Sequence, residues 1–402
     1  ADASTSEGIV VFHPDTHHVH LGDLVRVEGI GTEFFDTTQL GIYVEVEVIG
    51  DGSGLATPAA VTFPVVDFAD LEAYEGMAVE FPQTLVISEY FNYDRFGDVV
   101  VALPAPGEDR PYNPTALFHP DSPEAAERLD LNARSRITID DGNSAQNRPD
   151  PIHPINRAPY SAANSFRGGD QVTGLSGPLH YTFGRYVMLP VPDTGFDEYV
   201  RTVAPEAPDD VGGDLTIATL NALNYFLSLD DGPDICGPNQ DEGCRGADDT
   251  EEFERQRVKL LNAIEGLDAD VVGLVELENT RGVEPLADIV DGLNARLGAG
   301  TYDYIAAGTD SVVGPDVIKV GVIYKPASVS PVGDTAVLET DAFLDPNGYD
   351  DPKNRAAVAV SFVENASGEV FSVAVNHLKS KGSSCAPGDD HPLAGSCNDT
   401  RT

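Results

Sequence analysis

Lysine is missing from the first 258 residues; all six fall later, at Lys259, Lys319, Lys325, Lys353, Lys379 and Lys381. Any grip on a polyanion is therefore expected in the second half of the chain. No run of about 18 apolar residues occurs, so no membrane-spanning helix is predicted and no membrane partner is expected. The chain opens Ala-Asp-Ala-Ser, without methionine and without a basic-then-apolar leader, as expected of a processed or partial polypeptide. Cysteine is scarce: Cys236 and Cys244 form one close pair, Cys385 and Cys397 another. Neither spacing is that of a zinc knuckle, whose paired ligands are about two to four residues apart. Two loop-stapling disulfides are the expected use, which implies an oxidising compartment, with a redox or metal role as the alternative. The sequence leaves the pairing itself open.

Acid is what the chain has in excess: 67 Asp and Glu against 24 Lys and Arg, a formal net charge of -43. The acids run through every segment. That suits a surface kept soluble in salty water, where self-repulsion is screened, better than one acidic binding face. At 402 residues, two domains are expected.

The first domain, 1–190, reads as mostly strand. Short β-branched or aromatic runs at 8–12, 24–27, 42–49, 60–65, 85–88, 99–103, 136–139 and 181–189 are bounded by Gly, Pro, Asn and Asp. One helix is predicted over 122–134, with Ser122 as N-cap and Pro123 at the first helical position. A small barrel or sandwich fits this pattern. The segments 24–35 and 171–183 look alike, as a degenerate repeat would. Residues 191–213, rich in Pro and acid and closing on Gly212-Gly213, read as a linker. From 214 the pattern becomes strand–helix–strand–helix–strands, an α/β layered domain. Its helices are predicted at 250–267, capped by Asp249 with Glu252 three residues on, and at 285–297. Its strands are predicted at 215–220, 270–277, 302–306, 317–324, 356–363 and 370–375.

Three polar residues end these strands, where layered α/β folds bind ligands. Asn221 closes an apolar strand; its bland use is a backbone bond at a turn. Glu276 ends a buried strand, where a carboxylate needs a cation or an arginine partner. Glu278 shares its face by period two, so spacing does not choose between them. His377 lies in Val375-Asn376-His377-Leu378-Lys379-Ser380-Lys381-Gly382, where two lysines beside an imidazole favour an anion such as phosphate.

The order Asn, Glu, His on successive strand ends resembles the endonuclease/exonuclease/phosphatase (DNase I-like) superfamily. The stretches 217–226, 268–279, 318–326, 353–362 and 375–385 are similar to bacterial extracellular nucleases of the ExeM/NucH type, which also carry an OB-like β region ahead of the nuclease domain. Segments 5–12, 23–40, 137–147 and 172–186 resemble that region. The resemblance implies an α+β protein: an N-terminal OB-like β-barrel, nucleic-acid binding, followed by the first half of a four-layer α/β sandwich. It implies Asn221 and Glu276 as ligands of Mg²⁺ or Mn²⁺, with Ca²⁺ a further candidate. It implies His377 and Arg355 as catalytic contacts to the scissile phosphate, and Lys379, Lys381 and Asn376 as contacts to substrate phosphate. DNA, with RNA as the alternative, is the implied partner, and secretion the implied localisation. Water would attack in line and leave 5′-phosphate ends. Asp316 is a poor match to the acid that orients the histidine in this superfamily. The later Asp-x-Asn and Asp-His of the pattern do not follow His377, and Asp345-Pro346-Asn347 precedes it in a Pro/Gly loop. The chain is therefore expected to be truncated and inactive alone.

Two rival readings share these residues: a phosphatase or lipid phosphodiesterase of the same superfamily, and a secreted β-rich binding module without catalysis. In the second, Tyr90, Tyr93 and Phe96 near Arg95 would stack bases. The acid-rich surface also yields a prediction. A chain completed with the missing catalytic residues is expected to cleave duplex DNA from low to molar NaCl, whereas basic nucleases lose affinity as counterions compete. A steep loss of cleavage with salt overturns it.

Overall fold

The computed structural model of the protein describes residues 6–13, 18–143, 145–191, 195–202, 207–346, 348, 353–380, 384, 388–391 and 393. Lys381, Cys385, Cys397 and Asn347 lie outside the described residues. The chain is mixed α/β and mostly strand, and it divides into two compact units, Ala1–Ala204 and Pro205–Thr402.

The first unit holds β1 (Val10–Val11), β2 (Asp23–Phe34), β3 (Thr37–Asp51), β4 (Ala59–Ala60), β5 (Ala78–Phe81), β6 (Leu85–Glu89), β7 (Val99–Ala102), β8 (Arg136–Ile139), β9 (Gln171–Thr173), β10 (Leu175–Thr182), β11 (Arg185–Met188) and β12 (Glu198–Val200). Its helices are α1 (Tyr93–Phe96), α2 (Pro114–Leu117) and α3 (Pro123–Ala133). Strands β1, β3 and β2 form one sheet built on a long hairpin. The other nine run in the order β12-β9-β6-β7-β8-β11-β10-β5-β4, a curled half-barrel. Among the described residues no pairing joins β4 to β12, so the sheet stays open where a closed barrel was expected. Alternate residues such as Val79 and Phe81, Leu85 and Ile87, Val99 and Val101 supply its apolar core. Strand β12 falls inside the predicted linker; its pairing with β9 overrides a composition that reads as loop. The run 181–189 is two strands, because Phe183 and Gly184 both take positive φ and turn the chain back. The two segments that look alike meet at their ends, where Phe35 and Phe183 stack at 6.0 Å. Helix α3 starts as predicted: Ser122 accepts from Ala125 N, with Pro123 in the first turn. Tyr93 is a core aromatic; its hydroxyl donates to Ile152 O at 2.9 Å and its ring packs on Phe166.

The second unit holds β13 (Ile217–Tyr225), β14 (Asp234–Cys236), β15 (Glu242–Gly243), α4 (Thr250–Leu267), β16 (Val271–Glu278), α5 (Glu284–Leu297), β17 (Asp303–Tyr304), β18 (Ile318–Tyr324), β19 (Val329–Leu338), α6 (Asp341–Leu344), β20 (Ala357–Glu364) and β21 (Val370–Val375). One sheet runs β13-β16-β18-β17 and a second β19-β20-β21. Helices α4 and α5 cover one face of the first sheet through Leu260, Leu261, Ile264, Ile289 and Leu293. Its other face packs on the second sheet through Val271, Val275, Val358, Val360, Phe362 and Val375. The result is three layers: helix, sheet, sheet. Asp249 caps α4 by accepting from Glu252 N at 2.8 Å, while the Glu252 carboxylate reaches back to Asp248 N. Strand β19 escaped the sequence reading because Pro331 and Gly333 interrupt it, which an exposed edge strand tolerates.

The first unit buries a histidine. His153 is fully enclosed, accepts at Nδ1 from Ile155 N and Asn156 N, and packs edge-on to Phe166 and Tyr199. Burial pulls its pKa down to about 4. An unfolded chain takes up that proton near pH 6.5. The favourable contribution is thus complete above about pH 6.5 and is lost as pH falls toward 4, by about 3 kcal/mol. Urea unfolding of wild type and His153→Gln across this range should show a shallower acid loss in the variant; parallel curves would refute the assignment.

Candidate functional site

The site is built where β13, β16 and β21 end. Gly273 of β16 faces Val375 of β21, and a Cβ on Gly273 would lie 2.8 Å from Val375 Cγ2. A side chain there would crowd Val375, so glycine suits the point where the two strands meet, just ahead of the site residues. Past Gly273 the pairing of β16 with β18 slips: Leu274 opposes Gly321, but Leu277 opposes Lys319. Three steps on one strand face two on the other, a bulge, and Glu276 occupies it at φ 63°. A glutamate in the left-handed region is uncommon and costs roughly 1 kcal/mol or more, a cost that often marks function. Across the sheet β13 is irregular at the same level, with Leu223 and Asn224 also at positive φ. Gln256 of α4 pins that segment by donating to Leu223 O at 2.6 Å.

The bulge decides between the two glutamates. Glu278 is buried, and its carboxylate accepts from Leu227 N at 2.8 Å and Ser228 N at 3.2 Å, closing the turn after β13. Glu276 is part-exposed; Oε2 accepts from Asn224 N at 3.2 Å and Oε1 lies 3.6 Å from His377 Nε2. Asn221 sits on the neighbouring strand in register with Val275. Its side chain is exposed and its amide oxygen accepts from Leu223 N at 2.7 Å, the turn bond that was the bland reading.

Arg355 enters antiparallel to His377, its N–H donating to His377 O at 3.1 Å. Its Nε lies 3.1 Å from Asp316 Oδ2. Burial, then the Arg355 charge, hold the His377 pKa below the usual imidazole value, against the opposing pull of Glu276 and Asp316. His377 Nδ1 is buried without a hydrogen-bond partner among the described residues. Glu276, His377, Arg355 and Asp316 are thus brought together. Asn376 is exposed, its amide turned back to Ala374 O at 3.3 Å. Lys379 is tethered through its N–H to Asn354 Oδ1 at 2.9 Å, and its ammonium donates to Ser380. Cys236 and Cys244 are bonded to one another.

Sequence reasoning missed two residues. Asn279, fully buried, donates to the carbonyls of Val313 (3.1 Å), Gly314 (3.1 Å) and Asp316 (2.7 Å) and accepts from Val313 N (3.1 Å). It fixes the loop that presents Asp316. Arg245 lies with Nη1 4.0 Å from Asp316 Oδ1. No local pattern marks either one, since their partners are distant in sequence.

Among the described residues no group of three or more His, Cys, Asp and Glu forms a metal cage. The oxygen donors present, a part-exposed carboxylate and an amide on adjacent strands, suit Mg²⁺, which binds through one or two carboxylates and keeps several waters.

No family model matches the chain, and no curated protein does. Two solved structures are distantly similar. The human Nocturnin catalytic domain with bound sulfate anion shares 18% identity over 35% of this chain and 46% of that one, at a TM-score of 0.23. An endonuclease/exonuclease/phosphatase family protein from Bacteroides thetaiotaomicron shares 15% identity over 41% of this chain and 50% of that one, at a TM-score of 0.25. The chain spans about half the length of each.

The Asn279 network carries a prediction. Asn279→Ala leaves buried carbonyls and an N–H unpaired and should cost about 3 kcal/mol. Amide exchange at 313–316 should quicken while β16 stays protected; unchanged exchange there would sink this account of the loop.

Proposed function

We propose that the second unit is part of a metal-dependent phosphodiesterase domain of the endonuclease/exonuclease/phosphatase kind, acting on nucleic acid, with DNA as the first substrate. The supporting observation is the pairing of a bulged glutamate with an imidazole 3.6 Å away, beside an arginine and its carboxylate. In this reading the three layers belong to a four-layer sandwich, and the curled sheet of the first unit is an OB-like nucleic-acid-binding region. The disulfide fits a secreted protein.

Glu276 and Asn221 would hold Mg²⁺ or Mn²⁺, which supplies Lewis-acid stabilisation of charge on the phosphate oxygens. The chain's own residues do the rest. Neutral His377 donates from Nε2 to a non-bridging oxygen, and burial with the Arg355 charge favours that neutral form. Arg355 faces the negative charge that develops in the transition state, where one such donor is worth roughly 3 kcal/mol. Asp316 holds the guanidinium in place. These contacts read phosphate rather than base, so sequence preference is expected to be weak.

The test is binding, which needs no complete catalytic set. Mn²⁺ titration followed by electron paramagnetic resonance should show a site that weakens at least tenfold in Glu276→Gln and persists in Lys325→Gln. With Mn²⁺ present, a DNA oligonucleotide should bind more tightly than inositol phosphates or sphingomyelin vesicles. Equal Mn²⁺ affinity in wild type and Glu276→Gln would defeat the metal assignment. Preference for either of the other ligands would replace the substrate class.

A further inference from the structure

The phosphodiesterase reading leaves one charged group at the site, Arg245, without a role. Strands β14 and β15 form a small antiparallel hairpin closed by the Cys236–Cys244 disulfide. The two cysteines pack with Phe226, Val317 and Ile318 in a separate apolar cluster, so the base of the hairpin is anchored on the residues that follow Asp316. Just beyond, Gly246 is pressed on the end of β13: a Cβ there would lie 2.6 Å from Phe226 Cβ. Asp230 N donates to Ala247 O at 2.9 Å and ties the same stretch down. Arg245 is thereby held on both sides, by Cys244 and by Gly246.

From that position its guanidinium reaches Asp316. Oδ1 of Asp316 faces Arg245 Nη1 at 4.0 Å and Oδ2 faces Arg355 Nε at 3.1 Å. Two guanidinium groups thus face one carboxylate, Arg355 closely and Arg245 at the longer distance. Repulsion between the two is relieved by an anion. Arg355 is largely buried and adjoins His377, whereas the Arg245 side chain is 47% exposed. The inner arginine is thus shielded beside His377, and the outer one is open to solvent.

We infer that Arg245, delivered by the disulfide hairpin, contacts a second phosphate of the bound nucleic acid, so that the site selects a chain of phosphodiesters over a single one. This deepens the phosphodiesterase reading and rests on it.

The full chain with its disulfide intact is titrated, in Mn²⁺, with a thymidine dinucleotide carrying one phosphodiester and with a thymidine pentanucleotide carrying four. Wild type should bind the pentanucleotide more tightly. Arg245→Ala should weaken the pentanucleotide about tenfold, leave the dinucleotide unchanged and lower the salt slope of pentanucleotide binding by about 0.7. Arg245→Lys should recover part of the loss. Should Arg245→Ala bind the pentanucleotide as wild type does, while Arg355→Ala and Glu276→Gln weaken both ligands, the inference falls and the phosphodiesterase reading stands. Should none of the three variants change binding of either ligand, that reading falls too.

Discussion

The contact between Gly273 and Val375 is the constraint on which the site depends. Two sheets that pack through valine and phenylalanine ordinarily stand about 10 Å apart. Gly273, early in β16, lets the valine that ends β21 sit against its backbone. Glu276, three residues beyond Gly273, and His377, two beyond Val375, then come within 3.6 Å of each other. The αL bulge finishes the job by re-aiming the carboxylate, and the unit stores some backbone strain there. Helix α4 supports the strained region from behind through Gln256.

Charge at the site runs against charge elsewhere. A chain of -43 repels a polyanion at long range, yet the edge beyond β16 and β21 gathers Arg355 and Arg245 around one aspartate. Asp316 keeps the two guanidinium groups together, and Asn279 keeps Asp316 in place through its loop. The arrangement sets two guanidinium groups near the Glu276–His377 pair and leaves the acid-rich surface to solvent and salt.

Much of the fold was legible locally. Helix α4 was predicted residue for residue, because a strong N-cap at Asp249 and an apolar stripe agree with one another. Helix α3 and strands β8 and β21 were equally plain. What failed did so for non-local reasons. Strand β12 exists by pairing with β9, β19 tolerates Pro331 because it lies at an edge, and the open course of the nine-stranded sheet depends on which strands meet. Spacing alone left Glu278 as open as Glu276, and only the family resemblance pointed to Glu276, His377 and Arg355. Period-two reasoning puts both glutamates on one face, and only a bulge separates them. Asp316, a poor match by sequence to the acid that orients the histidine, lies 3.1 Å from Arg355 Nε in the structure.

The amino-acid sequence by itself determined the change from strand-rich to layered α/β pattern, the acid excess and the set of polar residues at strand ends. Each follows from composition or from periodicity over a few residues. Tertiary structure alone decided which carboxylate faces the imidazole, that Arg245 joins Arg355 on Asp316, and that Asn279 holds the loop between them. Those facts depend on the spacing of two sheets and on one slipped register, which are properties of packed strands and not of any short stretch of chain.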